Sequence, residues 1–264
     1  MSSKNCIVSV GVGSRYGQSF SRNAARLQQS INYHIKDIDT FFWKEEFPPN
    51  SPTHEEANFV FKAHALDYAL KQNDYDKMFW MDSSIIVVND FTPIIDYVEE
   101  NKVLLIQDNS DLNTGMKYNA GQWLCDHSLK YLDITREESF EIPQMYSAFM
   151  GWNLRDETAR KHLEKFIEVA KMDNGNAFHG PSDNDGICSK DERVKGHRHD
   201  QSVAAVLANQ LGLELFNPKC DEAPHFTTMH SKKPKWIQYE QESPKENTIL
   251  WFKRANSFNF VGAY

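Results

Sequence analysis

Asp82, Ser83 and Ser84 interrupt an apolar run, with Met78-Phe79-Trp80-Met81 before them and Ile85-Ile86-Val87-Val88 after. Both flanks are too apolar, aromatic and β-branched for a surface segment and read as buried strand. A carboxylate placed there is costly unless it meets a partner. At the C-terminal edge of a sheet, where ligands bind in open α/β folds, a bound cation would supply one. The spacing suits an Asp-x-Asp motif, in which oxygen ligands at i and i+2 hold Mg²⁺ or Mn²⁺ across the two phosphates of a leaving nucleotide. Ser84 stands where the second acid would be. The expected metal ligands are therefore Asp82 and Ser84, a hydroxyl or held water replacing a carboxylate at a cost in affinity. A buried Asp capping a strand end accounts for the triplet equally well.

Other stretches carry competing chemistry. His197-x-His199-Asp200 places alternating histidines that can bind zinc from one side, resembling part of the metallo-β-lactamase signature. The further His of that signature is missing, because Gln201-Ser202-Val203 follows. Asp200 also reads as the cap of a helix opening at Gln201. Gly11-x-Gly13-x-x-x-Gly17 offers glycines and free backbone N–H groups to a phosphate, or simply forms a tight turn. With Asp37 or Asp39 roughly 20 residues on, it also allows a dinucleotide reading of an NAD(P)-dependent oxidoreductase, at unusual spacing. Asp108 ends the apolar run Val103–Ile106 in a polar loop that opens on the same sheet edge, where a solvated turn acid is the plainer account.

The elements needed to position these groups follow in order. Cys6–Gly13 reads as a first strand, Ser14–Gly17 as a turn and the next stretch as a helix to about Ile31; Tyr33–Phe42 reads as a second strand. Thr53 and Glu56 form a capping-box pattern ahead of a helix whose Phe59, Ala63, Leu66, Ala69 and Leu70 read as core packing. Thr92-Pro93 starts a short helix to about Asn101, and residues 121–142 suggest further short helices. Met145–Leu154 reads as a strand and Asp156–Lys171 as an amphipathic helix. Residues 173–196, rich in Asn, Asp, Gly and Ser, read as a long mobile loop serving as a lid. The helix after Asp200 ends at Gly212, and Leu213–Phe216 reads as a short strand.

With 264 residues, 40% of them hydrophobic, the chain suits one α/β domain with a sizeable core. A net charge of −8 argues against a nucleic-acid-binding surface, which needs clustered Lys and Arg in excess, and leaves room for a local basic pocket. The four cysteines, Cys6, Cys125, Cys188 and Cys220, form no Cys-x-x-Cys pair, so reduced thiols in a cytoplasmic protein are expected. No signal core or membrane span is expected either, Ile7–Val12 being too short for one.

Four blocks in this order resemble the GT-A fold nucleotide-sugar glycosyltransferases, including glycogenin-like and related bacterial and viral transferase-like families. They are Val10–Tyr16, Trp80-Met81-Asp82-Ser83-Ser84, Pro143-Gln144 to Asn153-Leu154, and His199-Asp200-Gln201-Ser202 opening a helix. The resemblance implies a single Rossmann-like domain over residues 1–264, its sheet mixed but mostly parallel and flanked by helices, with residues 225–264 packing over the site. It implies that Gly11, Val12, Ser14, Arg15 and Tyr16 line a nucleoside-diphosphate sugar, together with Asp82, Ser83 and Ser84. Tyr16 would stack on the base and Arg15 would meet phosphate. Asp82, Ser84 and a late His, His230 or the competing His225, would hold Mn²⁺ or Mg²⁺. Asp200 and Gln201 would lie beneath the sugar, while Gln144, Trp152, Asn153 and His199 would flank the sugar or a glycan acceptor; core or strand-end packing is the competing account of Gln144, Trp152 and Asn153, and for Trp152 core is the plainer one. An inverting transfer would need a carboxylate base, Asp108 or Asp200, and with the metal loosely held at Ser84, Lys232, Lys233 and Lys235 near Trp236 would fold over the diphosphate. A catalytically silent nucleotide-sugar or glycan-binding protein on the same fold is the second expectation.

Overall fold

Strand β1 (Asn5–Val10) is buried at every position, and its pleat explains why it needs to be apolar on both sides. Cys6, Val8 and Val10 pack into one cluster and Ile7 into another, as the period-2 alternation of a strand between two layers requires. The computed structural model describes residues 4–15, 18–108, 118–217 and 249–252. Beyond β1 a small hairpin, β2 (Ser14–Arg15) and β3 (Gln18–Ser19), precedes helix α1 (Phe20–His34), which Ser19 caps by accepting from the Arg22 N–H. Gly13 enters this hairpin with φ +79°, a conformation that suits glycine. The hairpin separates β1 from α1, so Gly11 and Gly13 do not form the direct strand-to-helix turn that a dinucleotide fingerprint needs.

Next come β4 (Ile38–Trp43), α2 (Val60–Leu70), β5 (Lys77–Met81), β6 (Ile85–Val87) and α3 (Thr92–Asn101). They are followed by β7 (Val103–Gln107), a 3₁₀ turn Ala120–Trp123, α4 (Asp126–Leu132), α5 (Arg136–Glu141), β8 (Met145–Asn153) and α6 (Glu157–Lys171). A second 3₁₀ segment Met172–Phe178, helix α7 (His199–Gln210) and β9 (Leu250–Phe252) complete the described elements.

Five strands form the main sheet in the order β4-β1-β5-β8-β7. β4, β1 and β5 run parallel, β8 is antiparallel to β5, and β7 is antiparallel to β8. Four of the five therefore point the same way, giving the mixed, mostly parallel α/β sheet flanked by helices. Ala63 and Leu66 of α2, Leu163 and Phe166 of α6 and Val203 of α7 cover one face together with Met78 and Trp80; Leu27 of α1 and Ile94 of α3 cover the other with Phe79 and Met81.

Several elements differ from the sequence reading. Helix α1 runs on through His34, so the second strand starts at Ile38 rather than Tyr33. Thr53 and Glu56 do form the reciprocal capping bonds, but around a separate turn. The helix proper starts at Val60, after Phe59 with φ 60°. Phe216 makes a single bridge to Ile106 instead of a strand. The 173–196 stretch is tied down by its own bonds: Asn184 Nδ2 donates to the Ser189 and Val194 carbonyls, and the Lys195 N–H donates to Gln122 O. Tyr16, the 225–264 segment, and with it His225, His230, Lys232, Lys233, Lys235 and Trp236, are expectations that fall outside the described residues or on stretches mostly outside them. No described helix is long and apolar enough to cross a membrane.

Candidate active site

Trp80 and Asp82 are two residues apart, so the pleat sends both side chains toward the layer formed by α2 and α7. The ladder continues past the end of β5, the Asp82 N–H donating to Ala148 O at 2.8 Å. Trp80 Nε1 donates to Asp82 Oδ1 at 2.8 Å. From α2, the Lys62 ammonium reaches the same oxygen at 3.0 Å and Asp200 Oδ2, on the first turn of α7, at 2.7 Å. It also donates to Ser147 O at 3.1 Å, and Ser147 Oγ donates to Asp200 Oδ2 at 2.6 Å. Three elements distant in sequence thus meet at the C-terminal edge of β5 around one buried cation.

Lys62 and Asp200 side chains are 2% and 3% exposed, whereas that of Asp82 is 33% exposed, so Asp82 forms the open side of the cluster. Asp82 Oδ2 accepts no hydrogen bond from the described residues. Burial alone would lower the Lys62 pKa, but the Asp200 and Asp82 carboxylates outweigh it and hold the ammonium above the usual lysine value. For Asp82, desolvation raises the pKa, Lys62 pulls it partly back and Asp200 pushes it up. Two carboxyl groups thus share one buried ammonium, and desolvation opposes charge on Asp82.

Two strained residues flank this contact. Phe59 has φ 60° just before α2, and His199 has φ 46° just before Asp200; their rings lie 5.2 Å apart. Left-handed backbone in a bulky residue costs about 1–3 kcal/mol and gathers at functional sites. Here it turns α2 and α7 so that Lys62 and Asp200 face one another. His199 Nδ1 donates to Phe178 O at 2.8 Å, and burial lowers its pKa. Asp200 does not cap α7 as expected: the helix begins at His199, and the Asp200 carboxylate is committed to Lys62 and Ser147. His197 Nδ1 accepts from the Cys125 N–H, while His199 donates to Phe178. The two histidines point to different partners, and among the described residues no group of three or more His, Cys, Asp or Glu could hold a metal ion.

The remaining expected residues divide by position. Gly11 lies against the Asp82-Ser83 turn, since a methyl on it would stand 2.9 Å from Ser83 Cβ and 2.5 Å from Phe20 O. Val12, Ser14, Ser84 and Gln201 are partly or fully exposed around that edge; the Arg15 side chain is outside the description. The Asp108 N–H donates to Gln144 O at the same edge, just ahead of β8 and beyond Ala148 opposite Asp82. Gln144 is fully buried and donates to Ser202 Oγ at 2.9 Å. Trp152 does not present a face to a sugar: it is 0% exposed and donates to His162 Nδ1. Asn153 pairs with Lys77 at the start of β5, the opposite edge from Asp82.

Lys62 and Ser147 were not expected. A signal for Lys62 does exist, because the core stripe Ala65, Leu66 and Ala69, extended back one turn, lands on it. A lysine on an apolar stripe needs a buried acid only where its ammonium cannot reach water, which the stripe alone does not reveal.

No protein-family model matches the chain, and no curated protein sequence matches it. Among solved structures, it is similar to the glycosyltransferase GlyE of Streptococcus pneumoniae TIGR4, at 12% identity over 85% of this chain and 46% of that one, TM-score 0.44. It is similar to the galactosyltransferase LgtC in complex with donor and acceptor sugar analogs, at 10% identity over 95% and 87%, TM-score 0.45. Mouse xyloside xylosyltransferase 1 aligns at 8% identity over 82% and 85%, TM-score 0.42. The chain spans a little under half the length of GlyE.

Proposed function

We propose that the chain transfers a sugar from a nucleoside-diphosphate donor to an acceptor hydroxyl of a glycan. The observation that carries this reading is the Lys62 ammonium shared between Asp82 and Asp200 at the sheet edge where the Gly11 turn also arrives. In this reading Gly11, Val12, Ser14, Arg15 and Tyr16 contact the nucleotide and Ser83 supports the turn beneath it. Lys62 fixes the orientation of both carboxylates. Asp200, with Oδ2 occupied by Lys62 and Ser147, keeps Oδ1 for a sugar hydroxyl, and Gln201 adds an amide beside it. Asp108 serves the acceptor side of the same edge.

A metal ion fits this set in one respect. Asp82 is the partly exposed acid of the cluster, its Oδ1 committed to Trp80 and Lys62, and an ionised Asp82 would repel a diphosphate unless a cation lay between them. Mg²⁺ is bound through one or two carboxylates completed by phosphate oxygens and water. Asp82 and the Ser84 hydroxyl are the residues that would hold it, with His230 as the further candidate. When bound it would neutralise charge on the departing diphosphate. The chain's own residues position the sugar, keep the carboxylates aligned and exclude water through the layer of α2 and α7.

A second reading, nucleotide-sugar or glycan binding without transfer, is favoured by Ser84 and by Lys62 taking up Asp82 Oδ1, both of which weaken a metal site. Incubation with a panel of nucleotide sugars and glycan acceptors, with and without Mn²⁺, separates the two through release of free nucleoside diphosphate. Release is the outcome the transferase reading expects. Saturable donor binding with no release across donors and acceptors replaces it with the binding reading.

A further inference from the structure

Cys125 and Cys188 lie 63 positions apart in the chain, yet their sulfur atoms are 2.7 Å apart. Cys125 precedes the first turn of α4, and Cys188 sits in the segment between the 3₁₀ turn Met172–Phe178 and α7. Both are free thiols in this structure, and an S–S bond is about 2.05 Å long. The backbone has therefore brought the pair within reach of a bond. The backbones are also registered, because the Asp126 N–H donates to Cys188 O at 2.8 Å. Cys125 is 0% and Cys188 1% exposed, and they share a small cluster with Val194 and Phe140, separate from the two main cores. Gly180 leaves room for them: a methyl there would stand 2.7 Å from Cys125 Sγ.

We propose that Cys125 and Cys188 are a disulfide site, and that the bond pins residues 179–198 to the start of α4. This segment leads directly into His199 and Asp200. Its last residues already lean on Cys125, whose N–H donates to His197 Nδ1 at 3.2 Å. The bond thus fixes the approach to α7 and with it the Asp200 carboxylate. The oxidant is a low-molecular-weight disulfide such as oxidised glutathione. One cysteine loses its proton and its thiolate attacks a glutathione sulfur, expelling one glutathione thiolate. The second cysteine thiolate attacks the protein sulfur of that mixed disulfide and expels the other. Two protein thiols are oxidised, one glutathione disulfide is reduced to two thiols, and the charges balance on proton exchange with solvent. Burial pushes both cysteine thiols above their ordinary pKa, so exchange is slow once the chain is folded and the bond forms as it folds.

The test is refolding of the full chain from the fully reduced, denatured state with mixed oxidised and reduced glutathione, then trapping with N-ethylmaleimide and peptide mass spectrometry without reduction. The expected result is one linked Cys125–Cys188 peptide in most of the protein, with Cys6 and Cys220 not joined to either. The oxidised form should melt on the order of 5 °C above the reduced form, a gain absent in Cys188→Ala. Alkylation of both Cys125 and Cys188, glutathione left on either, or a link to another cysteine overturns the proposal. If the chain does not refold, the same trapping on protein expressed in an oxidising compartment gives the decision by the same criteria.

Discussion

The Lys62 ammonium lies 2.7 Å from Asp200 Oδ2 and 3.0 Å from Asp82 Oδ1, so a single cation holds two acids drawn from a strand end and a helix start. Removing one partner of a buried ion pair leaves the other uncompensated, at about 3–5 kcal/mol. Lys62→Met should lower unfolding stability by that order in urea titration and abolish donor turnover. Adding Asp200→Asn should return part of the stability but none of the turnover, because the charge conflict is eased while the site stays incomplete. Full activity in Lys62→Met would mean that the cluster is only structural.

His162 provides a pH prediction away from the site. It is 0% exposed, accepts from Trp152 Nε1 at 3.0 Å and faces Ala204 O at 3.1 Å. Burial, only partly offset by the Ala204 carbonyl, lowers its pKa to about 4, against about 6.5 in an unfolded chain. Between those values the unfolded state binds the proton and the folded state does not. The stabilising contribution is therefore complete above about pH 6.5 and is lost as pH falls toward about 4, on the order of 3 kcal/mol for this group. Urea unfolding from pH 7 to pH 4.5 should show the decline, and His162→Gln should flatten it from a lower starting stability. Equal slopes in the two proteins would assign the decline to other groups.

Much of the fold was legible because the strands are buried on both faces. β1 and β5 need apolar side chains at successive positions, and that pattern survives without any knowledge of partners. The acid at position 82 was legible for the same reason, as an exception inside such a run. Lys62 was not, because its stripe of Ala65, Leu66 and Ala69 looks like core packing and its partners lie on other elements. Trp152 and Asn153 were placed at the site by their neighbours in sequence. Yet β8 is long enough to carry Ala148 to Asp82 and Asn153 to the far edge. The capping box of Thr53 and Glu56 closes a turn of its own, and α2 starts only at Val60, because the same pair of bonds serves a turn as well as a helix.

Gly11 tests the joint between the first strand and the Asp82-Ser83 turn. An added methyl would meet Phe20 O at 2.5 Å, Ala24 Cβ at 2.6 Å and Ser83 Cβ at 2.9 Å, and a backbone carbonyl cannot swing away like a side-chain tip. Gly11→Ala should cost about 1–3 kcal/mol and weaken donor affinity as Ser83 is displaced. Isothermal titration with the accepted nucleotide sugar checks this. Unchanged affinity would separate Gly11 from the donor site.

Ser84 should govern the response to metal. Restoring a carboxylate with Ser84→Asp gives a cation a second charged oxygen, and the Mn²⁺ concentration for half-maximal turnover should fall on the order of 10-fold. A metal titration of wild type and variant measures it. Identical titrations would remove Ser84 from the metal set.

Asp82 carries the central claim, and its side chain is exposed enough for substitution to spare the core. The decisive measurement is the initial rate of nucleoside-diphosphate release from the accepted donor by Asp82→Ala against wild type, with circular dichroism confirming that both are folded. The account predicts that release is abolished while the fold persists. Unchanged release by a folded Asp82→Ala protein would contradict it.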